Sequence, residues 1–239
     1  MRAKAIAFCV VLAASAQAAK IEWFGHAYFL LEDSKGTRIA VDPYDKELGY
    51  KIPDVEADAV LVTHEHFDHN AVSNVKGRKG APVAAFQEKR GEFSIGEIKV
   101  IGFQAYHDEE SGHLRGEVTM YLIELDGLRV LHCGDLGHVL SKAQCDAIGR
   151  VDVLLIPTSG LVTIPLGKID KVIESLKPRI VIPMHYKTPA LTYRGLAKFA
   201  PVERFAEGRK NTKRVGKNTI EIKPGQLPEK TEIWILDYE

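Results

Sequence analysis

Cysteine is scarce in this chain of 239 residues, which holds only Cys9, Cys133 and Cys145. None has a second cysteine at the short spacing that structural zinc sites use, so the sequence excludes a zinc-finger type of site. An oxidising compartment would permit a disulfide between Cys133 and Cys145. Alternatively Cys133 is simply buried, because it ends an apolar run of strand length.

An excess of charge of one sign is also missing. Lys and Arg together number 32, as do Asp and Glu, so the formal net charge is zero. Because nucleic-acid binding needs a basic field, we expect no nucleic-acid partner. One basic cluster near the C-terminus is either a solvated loop face or a contact for an anionic substrate or surface. Its members are Arg209, Lys210, Lys213, Arg214 and Lys217.

Long hydrophobic runs are missing too, apart from a short one near the N-terminus. Two basic residues stand within Met1–Lys4, an apolar stretch covers residues 5–14, and Ala16–Ala18 has the small-x-small form of a cleavage site. These are the parts of a secretory signal peptide. Residues 1–18 are therefore expected to direct export, in a bacterium to the periplasm, and to be removed, an uncleaved anchor being the alternative. The apolar stretch is too short for a stable membrane span.

Residues 19–239 are long enough for one domain with its own core. Apolar runs of strand length dominate the first half, and strand and helix patterns alternate in the second, which favours a layered α/β sandwich. The predicted strands are 21–24, 28–32, 38–41, 59–63, 82–86, 98–103, 118–125, 128–133, 153–156, 180–183, 219–222 and 232–236. The predicted helices are 141–148, capped by its serine, 166–176 and 193–200. Asp126-Gly127 predicts a two-residue hairpin turn.

The most informative segment is residues 61–70, LVTHEHFDHN, which places three histidines and an aspartate directly after an apolar strand. Side chains two apart in extended backbone point the same way, so His64 and His66 can bind one ion. Asp68 and His69 lie beyond the turn and are directed elsewhere, towards a second ion. Crowded imidazoles and carboxylates are costly to bury without a metal. We therefore predict a metal site.

Three further candidate ligands each follow an apolar strand, and functional residues often lie in the loops at strand ends. They are His107, Asp135 and His185. Each alone is an ordinary loop residue, but together with residues 61–70 they form a set of His and Asp ligands. Such a set suits divalent zinc, with manganese or iron as alternatives.

The order of these ligands resembles the metallo-β-lactamase superfamily. The residues that carry the resemblance are His64, His66, Asp68, His69, His107, Asp135 and His185. The resemblance extends over residues 21–187 and is nearest to predicted metal-dependent (zinc-dependent) hydrolases that are similar to ascorbate-6-phosphate lactonase. The shorter shared stretches are GHA at 25–27, VDP at 41–43, GDLGH at 134–138 and PMHY at 183–186.

This resemblance implies a four-layer αββα sandwich with two divalent metal ions where loops of the two sheets meet. It assigns one ion to His64, His66 and His107, the other to Asp68, His69 and His185, and a bridge to Asp135.

The activity implied by the resemblance is hydrolysis. A hydroxide formed from a water that the two metals share would attack an ester, lactone or phosphodiester bond of a small molecule. Asp68 and Asp135 are the expected catalytic residues, and Asp68 would orient the hydroxide and pass a proton to the leaving group. The best-known class B β-lactamases carry Cys in place of Asp135, so β-lactam cleavage is not the expected activity.

Further residues at the strand ends are candidates for contact with the substrate or with the metal ligands. They are His26, His113, Arg115, His138 and Lys187. His132 alternates with Cys133 along a strand and is expected to be a satisfied core residue. Residues 158–163 include no charged side chain, which suggests an apolar or neutral wall beside the substrate.

Two other functions fit the same sequence. An iron-dependent oxidoreductase of the sulfur dioxygenase type would bind one iron on this scaffold and consume oxygen. A non-catalytic exported metal binder would hold metal and leave ester, lactone and phosphodiester substrates intact. Metal analysis and an activity screen distinguish both from a hydrolase.

Overall fold

A computed structural model describes residues 17–238 of the chain. The expected signal peptide, residues 1–18, lies outside this part except for its last two residues. The strands are β1 (Ala19–Trp23), β2 (Phe29–Glu32), β3 (Arg38–Val41), β4 (Val55–Ala57), β5 (Ala59–Val62), β6 (Val75–Gly77), β7 (Ala84–Gln87), β8 (Gly91–Ile95), β9 (Ile98–Tyr106), β10 (Glu117–Leu125), β11 (Leu128–His132), β12 (Val153–Pro157), β13 (Ile180–Met184), β14 (Thr212–Arg214), β15 (Thr219–Ile222) and β16 (Glu232–Ile235). The α-helices are α1 (Lys142–Ile148), α2 (Ile169–Leu176) and α3 (Val202–Ala206).

Two large sheets lie at the centre of the molecule. One has six strands in the order β15-β1-β2-β3-β5-β7, and the other has eight in the order β14-β16-β13-β12-β11-β10-β9-β8. Strands β4 and β6 form a separate small ladder. Every residue of β12 and of β13 is buried, which explains why both read as continuous apolar runs in the sequence.

The main core fills the space between the two sheets. Phe29 and Leu61 of the six-stranded sheet join Ile123 and Val130 of the eight-stranded sheet in one cluster of fully buried side chains. Burial of a side chain of this size stabilises the fold by about 1.5–3 kcal/mol relative to exposure. The facing apolar sides of the sheets therefore hold the sandwich together.

The outer layers are thin. Helices α1 and α2 pack on the eight-stranded sheet and bury Ile148 and Val172 in the main core cluster. Leu30 of β2 alternates with the core-facing Phe29, so it points to the opposite face of the six-stranded sheet. There it meets Tyr44 and other side chains from loops and short 3-10 turns. The four-layer αββα sandwich is confirmed, with one outer layer built mainly of loops.

Most predicted elements are confirmed, with their ends shifted by a few residues. Ser141 is the N-cap of α1 and forms a capping box with Gln144. Asp126 and Gly127 both have positive φ and connect β10 to β11 as a hairpin. The short strands β4, β6, β8 and β14 escaped prediction because they lack a sustained apolar pattern.

The helix predicted over 193–200 was wrong. Only a 3-10 turn forms at Arg194–Leu196. Pro201 disfavours helical backbone at the residue before it, so α3 begins only after the proline, which is its N-cap. The predicted helix 166–176 likewise starts as a 3-10 turn at Leu166–Lys168 and becomes α-helical at Ile169.

Three other expectations from the sequence concern the cysteines, the basic cluster and membrane spans. Cys133 and Cys145 are both free, and Cys133 is fully buried. The basic cluster is largely ion-paired with neighbouring acidic side chains, as in the pairs Arg209–Asp170, Lys213–Glu232 and Arg214–Glu203. Within residues 17–238, no helix has the length and apolarity needed to cross a membrane.

Strand direction brings the expected ligands to one edge of the sandwich. In the six-stranded sheet β1, β3 and β5 run the same way. In the eight-stranded sheet β9, β11, β12 and β13 also share one direction. The two edges meet, since the Thr119 amide donates to the Thr63 carbonyl at 2.9 Å and the His185 amide to the His26 carbonyl at 2.9 Å. Loops that leave these strands therefore converge.

Candidate metal centre

The first cluster of possible ligands combines histidines from both sheets. His64 and His66 follow β5, and His107 follows β9; one ring nitrogen of each lies within 4.8 Å of the others. His64 Nε2 and His66 Nδ1 face each other at 2.9 Å. His64 and His107 are buried, whereas His66 is exposed, so this cluster opens to solvent.

The second cluster is entirely buried. Its members are His26, Asp68, His69 and His185, whose ligand atoms lie within 4.8 Å of one another. His26 is the unexpected member, because the sequence placed it among the candidates for contact with substrate or ligands. Its Nε2 lies 3.0 Å from Asp68 Oδ2, and its ring centroid lies 3.9 Å from that of His185.

Asp135 stands between the two clusters. Its Oδ2 lies 3.1 Å from His107 Nε2 in the first cluster. Its Oδ1 lies 3.3 Å from His69 Nε2 and 3.2 Å from His185 Nε2 in the second. One carboxylate oxygen therefore faces each cluster. The structure thus brings together all the ligands that the sequence indicated.

Unsatisfied buried atoms in this region indicate a missing partner. His69 Nε2, His185 Nε2 and Asp135 Oδ1 approach one another but form no hydrogen bond, because their directions do not suit one. Buried polar atoms are paired in the great majority of cases, and an unpaired one costs about 1–3 kcal/mol. A divalent cation at the point where these lone pairs converge would satisfy all three atoms. The donor set fits such an ion.

Asp42, directly after β3, orients a ligand of each cluster. Its Oδ2 accepts hydrogen bonds from His69 Nδ1 at 2.8 Å and from Thr63 Oγ1 at 2.7 Å. Because the Thr63 hydroxyl proton goes to Asp42, the neighbouring His64 Nδ1, 3.0 Å away, donates to the hydroxyl. Both imidazoles then turn an Nε2 lone pair towards the site. This role of Asp42 was not predicted from the sequence, although an aspartate directly after an apolar strand was the available signal.

The backbone around these residues is unusual. His26, Asp42 and His185 have φ of 51°, 53° and 54°, in the left-handed region that non-glycine residues rarely adopt. Strained positions of this kind persist where the surrounding structure holds them, and they cluster at functional sites. At Gly134 a Cβ would lie 2.8 Å from the Thr63 side chain, so only glycine allows the turn that presents Asp135.

Burial and charge together set the protonation of the site. Burial keeps the pKa of His64 and of His185 well below the usual value, so both rings are neutral. Burial also acts on His69, but three surrounding carboxylates outweigh it and raise the pKa of that ring. Burial alone would raise the pKa of the Asp135 carboxyl, yet the adjacent histidines hold it well below its usual range. The neutral rings of His64 and His185 beside ionised carboxylates suit the binding of a cation.

Two of the remaining candidates lie on the loop after β9, outside both clusters. His113 and Arg115 are exposed there. Asp108 organises this loop, because its carboxylate accepts four backbone amides at 2.8–2.9 Å. Burial opposes ionisation of Asp108, but these hydrogen bonds prevail and hold its pKa below the usual value.

Two further candidates have side chains engaged with backbone. His138 accepts from the Tyr106 amide at 3.1 Å and donates to the Val139 carbonyl at 2.9 Å, so both of its ring nitrogens are occupied. The Lys187 ammonium donates to a carbonyl of its own loop. His132 is a satisfied core residue, as expected, with Nε2 2.9 Å from the carbonyl oxygen of residue 27 and Nδ1 accepting the amide of residue 134 at 3.1 Å.

The sequence of this chain is similar to those of known proteins. The profile of the Beta-lactamase superfamily domain matches residues 20–185, a range that includes all the expected ligands. A UPF0173 metal-dependent hydrolase of Thermococcus kodakarensis is 32% identical over 192 residues, which are 71% of this chain and 85% of the relative. A UPF0173 protein of Pyrococcus furiosus is 36% identical over 193 residues, covering 71% of this chain and 84% of the relative.

A solved structure agrees with these relatives. It is a Thermotoga maritima protein assigned to the Zn-dependent hydrolases of the metallo-β-lactamase superfamily, and it is 32% identical to this chain. The two superpose with a TM-score of 0.71 over 92% of this chain and 100% of the other. The similarity therefore covers both sheets and the loops at the metal-binding edge.

Proposed function

This chain belongs to the metallo-β-lactamase superfamily and, within it, to the UPF0173 metal-dependent hydrolases, and from that membership we propose that its site holds two divalent metal ions. The observation that carries the proposal is the position of Asp135, with one oxygen towards each ligand cluster. Zinc is the metal we propose first, because imidazole and carboxylate donors suit it.

Each part of the site has a distinct task in this proposal. Bound metal ions would act as Lewis acids and supply a water whose pKa is lowered, to about 7 in zinc enzymes. Asp68 orients the attacking water and carries its proton to the leaving group. His26 donates to Asp68 Oδ2 and holds the carboxylate in place. Asp42 and Thr63 keep His64 and His69 in the tautomer that binds metal.

The proposed substrates are small molecules with an ester, lactone or phosphodiester bond. The stretches GHA, VDP and GDLGH resemble those of predicted metal-dependent hydrolases that are similar to ascorbate-6-phosphate lactonase, and this resemblance makes lactones the first class to test. β-Lactams are not proposed, because Asp135 stands where the best-known class B β-lactamases carry Cys. We also propose export through residues 1–18, to the periplasm in a bacterium, which leaves residues 19–239 as the hydrolase domain.

Metal content and activity measured on the same preparations test this function. We expect two equivalents of zinc, hydrolysis of at least one lactone, ester or phosphodiester probe, and loss of activity in His66→Ala. Asp54→Asn, which changes an exposed carboxylate on another loop, is the matched control and should retain metal and activity. One bound iron with oxygen uptake would contradict hydrolysis. Bound metal without cleavage of any probe would indicate a metal binder.

A further inference from the structure

The exposed large hydrophobic side chains of residues 17–238 are confined to the metal-binding edge. They are Phe67, Leu114, Leu161 and Tyr193, with 38%, 69%, 48% and 36% of their surface accessible. In the same order, they lie on the loops that follow β5, β9, β12 and β13. Single exposed hydrophobics are normal when scattered, but a set at one edge marks a binding surface. We refer to these four side chains as the apolar rim.

The loops that carry the apolar rim contact one another in sequence around the site. The Phe67 and Tyr193 rings pack edge to face with centroids 5.2 Å apart. The loop of Tyr193 is joined to that of Leu161 by a backbone hydrogen bond of 3.0 Å between residues 200 and 159. An ion pair between residues 168 and 109 then links the stretch after β12 to the loop of Leu114. The loops that carry the apolar rim are therefore joined to one another.

The positions of the apolar rim are held by the structure around them. A Cβ at Gly195 would lie 2.5 Å from the Tyr193 ring, so the missing side chain makes room for that ring. The Leu114 amide donates to Asp108 Oδ2 at 2.9 Å, which fixes the backbone that carries the most exposed side chain of the four. Ordered loops that present apolar side chains lose little conformational entropy when a ligand binds.

The apolar rim is continuous with the metal centre. Phe67 lies in the chain between His66 and Asp68, which belong to the first and second clusters. His66 is the exposed member of its cluster, and the exposed Phe67 follows it directly in the chain. Residues 158–163, which carry Leu161, include no charged side chain. A ligand whose polar end lies at the metal centre would therefore rest its other end on apolar surface.

We propose that the apolar rim binds the hydrocarbon part of the substrate, so that the enzyme acts on esters or lactones that bear an alkyl, acyl or aryl group of several carbons. This inference rests on the proposed hydrolase function. In the reaction, the oxygen of water bonds to the acyl carbon, the acyl C–O bond breaks, and a proton passes to the departing alkoxide. The second proton of the water is released to solvent, and the products are a carboxylate with a hydrocarbon tail and an alcohol, which a lactone carries on one hydroxy acid.

The binding of product-like carboxylates tests the apolar rim independently of catalysis. Calorimetric titration of the metal-replete protein with straight-chain carboxylates from acetate to octanoate should show Kd falling about two- to fourfold per added methylene. Leu114→Ser and Tyr193→Ser should flatten this dependence. Leu114→Met and Tyr193→Phe are the matched controls and should keep it. An unchanged melting temperature would show that the serine variants fold.

Rates of hydrolysis of p-nitrophenyl esters of the same acids show whether the role of the apolar rim or the hydrolase function itself is wrong. We expect kcat/KM to rise with acyl length in the native protein and to lose that dependence in the serine variants. A flat series in both binding and kinetics, with the acetate ester cleaved, would overturn only the role of the apolar rim. Absence of cleavage of every ester, lactone and phosphodiester would contradict the hydrolase, while the titration would still test the apolar rim.

Two other occupants of this surface would also overturn the proposal. If Leu114→Ser converted a dimer to a monomer in analytical ultracentrifugation without changing the chain-length dependence, the apolar rim would be a subunit interface. If the protein bound phosphatidylglycerol vesicles and the serine variants did not, again with no change in chain-length dependence, the apolar rim would be a membrane contact.

Discussion

The first candidate cluster consists of three histidines, His64, His66 and His107, and is partly exposed. The second consists of three other histidines and the carboxylate of Asp68, and it is fully buried. Imidazoles partly open to solvent bind a cation less tightly than a buried set that includes a negative charge. If each cluster holds an ion, as proposed, this difference would divide the tasks between them. The second suits firm retention of an ion, and the first suits contact with solvent and substrate.

The largest expected effect comes from the residue that the two clusters share. Asp135→Asn removes the negative charge from both at once, and we expect metal content to fall below one equivalent and turnover to fall by about 10³-fold or more. Elemental analysis together with initial rates measures both effects, with Asp54→Asn as the control. Retention of two equivalents by Asp135→Asn would show that the clusters bind metal without a shared carboxylate.

A substitution at Asp68 distinguishes the role of this side chain in proton transfer from its role in metal binding. Asp68→Asn keeps the size of the side chain but cannot carry a proton, so we expect kcat to fall about 10²–10⁴-fold, more than the metal content falls. Rates at saturating metal measure the effect. Full turnover with metal still bound would rule out Asp68 as the proton carrier.

Asp42 and Thr63 distinguish the two clusters most directly. Asp42→Asn disturbs His69 in the second cluster and, through Thr63, His64 in the first; we therefore expect metal affinity to weaken about 10–100-fold at both. Thr63→Val removes the hydroxyl that faces His64 and should weaken the first cluster alone. Competition with a chromophoric chelator resolves the two affinities. Equal weakening of both clusters by Thr63→Val would contradict this arrangement.

His26 is expected to have the smallest effect. His26→Ala leaves the Asp68 carboxylate without its donor, so we expect the metal affinity of the second cluster to fall about tenfold, while His26→Gln, which can still donate, should be closer to native. The same chelator competition measures this. A loss well above 100-fold, with no rescue by Gln, would make His26 a ligand itself.

Much of the site could be predicted because its ligands follow strands with plain apolar patterns. The spacing of His and Asp within residues 61–70 alone indicates a metal site. His107, Asp135 and His185 each follow an apolar run. His26 and Asp42 could not be assigned in the same way, because their roles depend on contacts with Asp68 and His69, 42 and 27 positions along the chain.

Dependence on contacts between distant residues also explains the errors in the predicted secondary structure. The apolar strands of the core were predictable because burial on both faces shows directly in composition. The segment 193–200 has a helical pattern, yet Tyr193 packs on Phe67 and the segment continues into Pro201, so tertiary contacts and the proline decide its shape. Local periodicity carries no information about such partners.

The sequence by itself determined the donor types, their order along the chain and the strand ends at which they stand, because side-chain alternation and apolar burial are local properties. Only the tertiary structure decided that Asp135 faces both clusters, that Asp42 orients a histidine in each, and that the loops carrying the apolar rim are joined. Those relations arise where the edges of two sheets meet, and the packing of distant residues sets that meeting point.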